Sequence, residues 1–243
     1  MNNIVLHEST SIPIYPQGFK LLKDIKVNDK VFSLEGDVTT ITSTEKIILK
    51  EYSKFEFINS EEILTDLSPV IGIRKPIQYL SKDLTNSPLS KASWYAKGSI
   101  SSIPDSFIFN SSFYVKETLE GILLEIGYKE GSLYVIKHVN RSIINTVRTL
   151  LSILGITYRL IPLFNFEFVI LFESDEVLCT SFKKDLSSCL KYLKEEENIT
   201  LQVPSIDTIT NSTLVSGDKE YFYGITTEDG SIRVTESYIP VLI

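Results

Sequence analysis

Thr10-Ser11-Ile12-Pro13-Ile14-Tyr15-Pro16-Gln17-Gly18-Phe19-Lys20-Leu21-Leu22-Lys23-Asp24-Ile25-Lys26-Val27-Asn28-Asp29-Lys30-Val31-Phe32-Ser33-Leu34-Glu35-Gly36 reads as short strands broken by turn residues. Phe19–Leu22 is a strand candidate. Asp24–Val27 leads into a turn at Asn28-Asp29, and Lys30–Leu34 alternates apolar and polar side chains, the period of a half-buried strand. Glu35-Gly36-Asp37 is a hairpin turn signal, and the β-branched run Val38–Ser43 follows it. Ile47–Tyr52, Phe55–Ile58, Ile63–Thr65 and Val70–Arg74 continue in the same style, the last two flanking a turn at Pro69. Asn86–Ser90, around Pro88, and Ser99–Pro104 read as loops.

Residues 112–198 change character. Phe113–Ile126 carries Val115, Leu119, Ile122, Leu123 and Ile126 at helical spacing. Leu133–Val139 reads as a strand. Ser142–Leu154 reads as a helix, with Ser142 as its N-cap and Gly155 as its stop. Thr157–Pro162 and Phe166–Phe172 form strands around a tight turn at Phe164-Asn165. Ser181–Glu197 reads as an amphipathic helix with Phe182, Leu186, Leu190 and Leu193 on one face. The order is helix, strand, helix, strand, strand, helix. Beyond residue 201 strands return: Tyr221–Thr226 and Ile232–Val234 flank an Asp229-Gly230 hairpin signal, and Tyr238–Ile243 is an apolar tail expected to be tucked into a core or a partner.

The 243 residues are 43% hydrophobic and 23% charged, ordinary for one or two globular domains. The formal charge of −7 excludes DNA binding as a default, because non-specific affinity for nucleic acid comes from Lys and Arg neutralising phosphates. Over 112–198 there are ten basic and twelve acidic residues, a poor balance for gripping a duplex. Cys179 and Cys189 would stand about 15 Å apart along a helix, too far to bridge. The polar N-terminus predicts no secretory signal, and no apolar run reaches the ~20 residues of a membrane span. An intracellular protein is expected.

The 10–36 block resembles the N-terminal block of inteins and hedgehog-type autoprocessing domains, the Hint family. In that family an opening Cys or Ser attacks the preceding peptide carbonyl. Counting back from Pro16-Gln17-Gly18, this position falls on Leu6, which has no nucleophilic atom. Ser9 and Thr10 are neighbouring hydroxyls, read as ordinary strand or turn groups. Ile63-Leu64-Thr65-Asp66-Leu67-Ser68-Pro69-Val70 looks like the family's Thr-x-x-His block. Thr65 is kept, and Ser68 stands where the His polarises the scissile amide. A serine cannot protonate a leaving amine near neutral pH. The closing His-Asn pair corresponds to Val241 and Leu242, and with the chain ending at Ile243 no downstream segment is expected to be joined.

Leu119-Glu120-Gly121-Ile122-Leu123-Leu124-Glu125-Ile126-Gly127 resembles the motif of a single LAGLIDADG homing-endonuclease unit, and Asn140–Ile156 is similar to that family's second helix. There the motif's last acidic residue binds the divalent metal. Here that position is Ile126, and the other acidic position is Leu124; hydrocarbon cannot ligate Mg²⁺. Glu125 lies roughly 100° away around a helix and is expected to be a solvated surface charge. Gly121 and Gly127 fit close helix packing.

The resemblance implies a mainly β Hint-like body, residues 1–110 and 199–243, with an inserted α+β module of αββαββα type at 111–198. No catalytic residue and no cofactor are expected. The expected role is a structural or protein-interaction component, with a protein partner such as a phage virion or its assembly. The alternatives are a DNA-binding protein that kept the LAGLIDADG saddle, using Lys137, Arg141, Arg148 and Arg159, and a Mg²⁺-dependent nuclease using Glu125. His7 and His138 have no ligand set at metal spacing, and Phe164, Phe166 and Phe168 read as core.

Overall fold

The computed structural model describes residues 4–16, 18–66, 69–77, 79–98 and 102–242, with Asn165 described through its backbone only. In chain order the elements begin with strands β1 (Ile4–His7), β2 (Ser11–Pro13), β3 (Phe19–Leu21), β4 (Lys30–Phe32), β5 (Val38–Phe57), β6 (Glu62–Thr65) and β7 (Val70–Ile71). Helices α1 (Pro88–Lys97), α2 (Asp105–Ile108) and α3 (Ser112–Ile126) follow, then β8 (Gly127–Glu130) and β9 (Leu133–His138). Next come α4 (Arg141–Ile153), β10 (Tyr158–Pro162), β11 (Phe168–Glu173) and α5 (Ser187–Glu195). The chain closes with β12 (Ile209–Thr227), β13 (Ser231–Val234) and β14 (Ile239–Leu242). It divides into two compact units, Met1–Gln78 with Ser205–Ile243, and Tyr79–Pro204.

The first unit is all β. Its long strands β5 and β12 pair antiparallel from Ile209 opposite Phe57 to Thr227 opposite Ile41, with three register shifts. β1 lies between β12 and β6, and β6 pairs with β5, so the four strands close into a ring. β4 extends β5 through the Gly36 turn. Gly36 has φ +88°, and a Cβ there would stand 2.2 Å from the Pro76 carbonyl oxygen, so both backbone and space require glycine. Leu6, Ile12, Leu22, Val31, Ile41, Ile63, Ile225, Ile232, Val234 and Val241 are fully buried in one core, each contributing roughly 1.5–3 kcal/mol relative to exposure. The Asp229-Gly230 turn is present, but β13 does not return along β12. It pairs with β14, which pairs with β7.

Two buried arginines tie this unit together. Arg74 makes a two-pronged pair with Asp207, Nε to Oδ2 at 2.7 Å and Nη2 to Oδ1 at 2.9 Å, and also donates to the Ser237 carbonyl. Arg233 is fully buried and donates to the carbonyls of Ser33, Leu34, Lys75 and Tyr238. Burial, with the nearby Arg74 charge, lowers its guanidinium to about 10 against the pull of Asp207 and Glu35, so it remains charged at neutral pH.

The second unit holds one antiparallel sheet in the order β10-β11-β9-β8. From α3 to α5 the elements run helix, strand, strand, helix, strand, strand, helix. β8 is the element that residue periodicity missed: four residues following directly on α3. The unit is also wider than the expected 111–198 insertion, because α1 and α2 belong to it. Asn86–Ser90, expected as a loop, contains the start of α1, with Pro88 at a first-turn position where proline's missing N–H costs nothing. α1 lies close on α3 because position 121 has no side chain: a Cβ on Gly121 would stand 2.2 Å from the Leu89 carbonyl oxygen. Asn140, not Ser142, caps α4, its Oδ1 accepting the Ser142 amide at 2.9 Å. α5 begins at Ser187, six residues later than expected, where Asp185 accepts the Ser187 amide at 2.8 Å.

Candidate functional site

Leu6 occupies the middle of β1, fully buried, directly opposite Tyr223 on one side and Thr65 on the other. The fold therefore brings together Leu6 and Thr65, two positions of the resemblance that lie far apart in sequence. Leu6 offers only hydrocarbon there. Ser68 lies outside the described residues. Leu242 is in a different sheet, at the end of β14 opposite Ser231 and Val70, while Val241 beside it is fully buried.

Ile126 ends α3 and is buried. Glu125, expected at the surface, is buried as well, only 5% exposed. It accepts from the Lys183 ammonium and the Ser93 hydroxyl, with Lys97 at 3.7 Å. Burial alone would raise its carboxyl. The hydrogen bonds from Lys183 and Ser93 and the two lysine charges outweigh it and hold the group below the ordinary glutamate range. A carboxylate engaged by two ammonium groups, beside Ile126 and Leu124, does not fit Mg²⁺, which takes oxygen donors. Among the described residues, no group of three or more His, Cys, Asp or Glu could hold a metal ion.

The four basic residues proposed for DNA do not share a surface. On the four-stranded sheet, Lys137, Val169 and Ile161 lie in one row, and Val135, Leu171 and Arg159 in the next, on one face. Leu190 and Leu193 of α5, with Ile199, Leu201 and Val203, cover that face. Lys137 pairs with Glu167 at 2.8 Å, and Arg159 donates to the Thr200 carbonyl. Tyr134, Phe172 and Tyr158 occupy the opposite face, where Arg148 of α4 donates to the Tyr158 hydroxyl at 3.2 Å. Arg141 is exposed at the start of α4. With helices against both faces, these cations form no single strip.

The other candidates resolve locally. Nδ1 of His138 accepts the Asn140 amide at 3.0 Å, and burial, reinforced by Lys184, lowers its imidazole pKa. Burial raises both thiols, Cys179 and Cys189, away from the nucleophilic thiolate. Both are free.

The largest departure from expectation lies between β10 and β11. Phe164 and Phe166, expected in the core, are 81% and 89% exposed on a single tight turn, and only Phe168 turns half inward. Phe166 has φ +59°, a left-handed backbone that a bulky aromatic rarely adopts. Beside the turn lies a groove of about 370 Å³ lined by Leu163, Phe164, Leu186, Cys189 and Tyr192 together with Lys137 and Glu167. A second, of about 250 Å³, lies between Pro162, Leu163, Phe164, Glu197 and Ile199. Aromatic alternation over 164–168 gave no sign of this, since an outward turn and an inward strand share the pattern.

No family model matches the sequence, and no curated protein matches it. Among solved structures, the chain is similar to the MchDnaB-1 intein, with a TM-score of 0.39 and 10% identity, over 98% of this chain and 99% of that one. It is similar also to a variant of the gp41-1 intein, with a TM-score of 0.35 and 9% identity, over 99% of each chain.

Proposed function

We propose that this protein is a Hint-like β body carrying an inserted LAGLIDADG-like unit, and that it works by binding another protein rather than by splicing, self-cleavage or DNA cutting. The observation that carries the interaction reading is the Phe164–Phe166 turn. Two neighbouring phenylalanines exposed at 81% and 89%, one held in a left-handed backbone, keep apolar surface in water at a cost in stability. Such a combination is expected where an aromatic anchor enters a partner.

Three further observations support the reading. Hydrocarbon stands at Leu6, Ile126 and Leu242, where the family's chemistry would need heteroatoms. The helix and strand order from α3 to α5 is the αββαββα order of the proposed insertion. Lys137 and Arg159 lie on the sheet face that α5 and residues 199–203 cover, half-buried and engaged by Glu167 and the Thr200 carbonyl, which disfavours a DNA-gripping sheet face. The proposed partner is a protein, for example a component of a phage virion or of its assembly.

Tagged full-length protein, purified from its native source, is expected to bring down a defined protein partner. The double variant Phe164→Ser/Phe166→Ser is expected to lose it while melting like the wild type. Equal recovery by both proteins would refute the role of the turn. Retardation of a random DNA duplex at low salt, abolished by raising the salt, would favour the DNA-binding alternative instead.

A further inference from the structure

His7 ends β1 between two oxygen-bearing side chains. Its Nε2 is 2.7 Å from Glu220 Oε2, and its Nδ1 is 2.6 Å from Ser9 Oγ. The Ser9 amide also meets Nδ1, at 3.3 Å. An amide N–H can only donate, so Nδ1 carries the lone pair. The ring proton of the neutral imidazole is then on Nε2, facing the Glu220 carboxylate, and the Ser9 hydroxyl donates to Nδ1. Serine, imidazole and carboxylate thus form one continuous chain of hydrogen bonds.

The strands hold this arrangement in place. His7 lies opposite Phe222 of β12 and meets its ring edge-on at 5.2 Å. Tyr52 of β5 is buried against Phe222, ring centroids 5.0 Å apart, and its hydroxyl donates to Glu220. The imidazole and the carboxylate are therefore fixed by rigid elements and a small apolar cluster that includes Val5, Tyr52 and Phe222. Ser9 stands exposed on the turn that follows, closed by the Thr10 amide donating to the His7 carbonyl at 2.9 Å. A nucleophile within reach of a base, and a base oriented by a third group, is the geometry of serine acyl transfer.

We propose that Ser9, His7 and Glu220 form a nucleophile, base and carboxylate relay acting on small activated carboxylic esters. Ser9 Oγ attacks the ester carbonyl carbon as its proton passes to His7 Nδ1, and Glu220 stabilises the imidazolium through Nε2–H. Collapse of the tetrahedral adduct breaks the bond to the leaving alkoxide, which takes the proton back from Nδ1. The products are acyl-Ser9 and an alcohol. Water, deprotonated by the same Nδ1, then attacks the acyl carbon; the C–Oγ bond breaks, Ser9 Oγ takes the proton back from Nδ1, and the carboxylic acid leaves. Ser9 stands on open surface, where a small ester can reach its hydroxyl. The relay goes beyond the interaction reading: it uses none of Leu6, Ser68, Ile126 or Leu242, and it is remote in sequence from the Phe164–Phe166 turn.

The test is full-length protein with p-nitrophenyl acetate, following nitrophenolate release and mapping the acetyl group by peptide mass spectrometry. The expected result is an acetyl group on Ser9. Release should fall about tenfold or more in Ser9→Ala and His7→Gln, since general-base assistance contributes roughly 10²–10⁴-fold. It should fall several-fold in Glu220→Gln and stay unchanged in Thr10→Ala. Acetylation confined to His7 or to lysines, or release unaltered by Ser9→Ala, would overturn the proposal. Should His7→Gln unfold, Ser9→Ala on its exposed turn decides alone.

Discussion

Replacing Phe166 by Asn is expected to make the protein more stable while removing an anchor of its proposed interaction. The backbone at 166 has φ +59°, and a left-handed conformation costs an ordinary L-residue about 1–2 kcal/mol. Asn tolerates that conformation far better. The ring is 89% exposed, so little burial is forfeited: about a tenth of the roughly 1.5–3 kcal/mol that a fully buried Phe contributes. The balance is a gain of about 1 kcal/mol, or about 2–4 °C in the melting of a chain this size. Differential scanning calorimetry of Phe166→Asn against wild type measures it. Phe164→Asn is the control, because Phe164 has no positive φ, and no gain is expected there. A lower melting temperature for Phe166→Asn, or equal gains from both variants, would refute the strain argument and with it the claim that Phe166 is held outward at a cost.

Asp207→Ala leaves the Arg74 guanidinium buried without its carboxylate, and urea unfolding should show a loss of about 3–5 kcal/mol; a loss below about 1 kcal/mol would mean that water or another acceptor replaces Asp207. Glu125→Gln should destabilise the protein by about 1–3 kcal/mol at pH 7. The folded carboxyl lies below its unfolded value, so this stabilisation is present above the unfolded pKa and is lost as pH falls through the folded one. The gap between wild type and Glu125→Gln in thermal melts should therefore close in acid and not in base; a gap independent of pH would exclude the ion pair as its source. Gly121→Val drives a side chain into the Leu89 carbonyl, and should cost at least about 1–3 kcal/mol and expose residues 79–98 to proteolysis; wild-type protease resistance would show that α1 does not depend on this close approach.

Local rules carried the fold furthest where neighbours in sequence are neighbours in space. The Glu35-Gly36-Asp37 turn joining β4 to β5, the tight turn between β10 and β11, and the Gly155 stop after α4 could all be read from residues alone. The β5–β12 pairing could not, because about 150 residues separate strands whose alternation would suit several partners. The Asp229-Gly230 turn was legible, but its outgoing strand was not, since turn chemistry fixes a change of direction and not the strand reached next. Pro88 read as part of a loop where it starts a helix, and the small residues Ala92 and Ala96 hid an apolar face.

The candidate site divides in the same way. The hydrocarbon side chains at positions where the resemblance would place heteroatoms were visible as Leu6, Ile126 and Leu242. Burial of Glu125 was not, because it depends on α1 and on Lys183, far away in sequence. Outward display of Phe164 and Phe166 depends on a backbone angle that composition does not encode. The His7–Glu220 pairing needs the register of β1 on β12.

Native mass spectrometry of the tagged protein isolated from its source separates a binding protein from a self-cleaving one. An uncut chain, apart from loss of Met1, in a complex of defined stoichiometry with another protein is expected for the wild type, and the chain alone for Phe164→Ser/Phe166→Ser. A shortened chain, or a wild-type chain with no bound protein, would contradict that expectation.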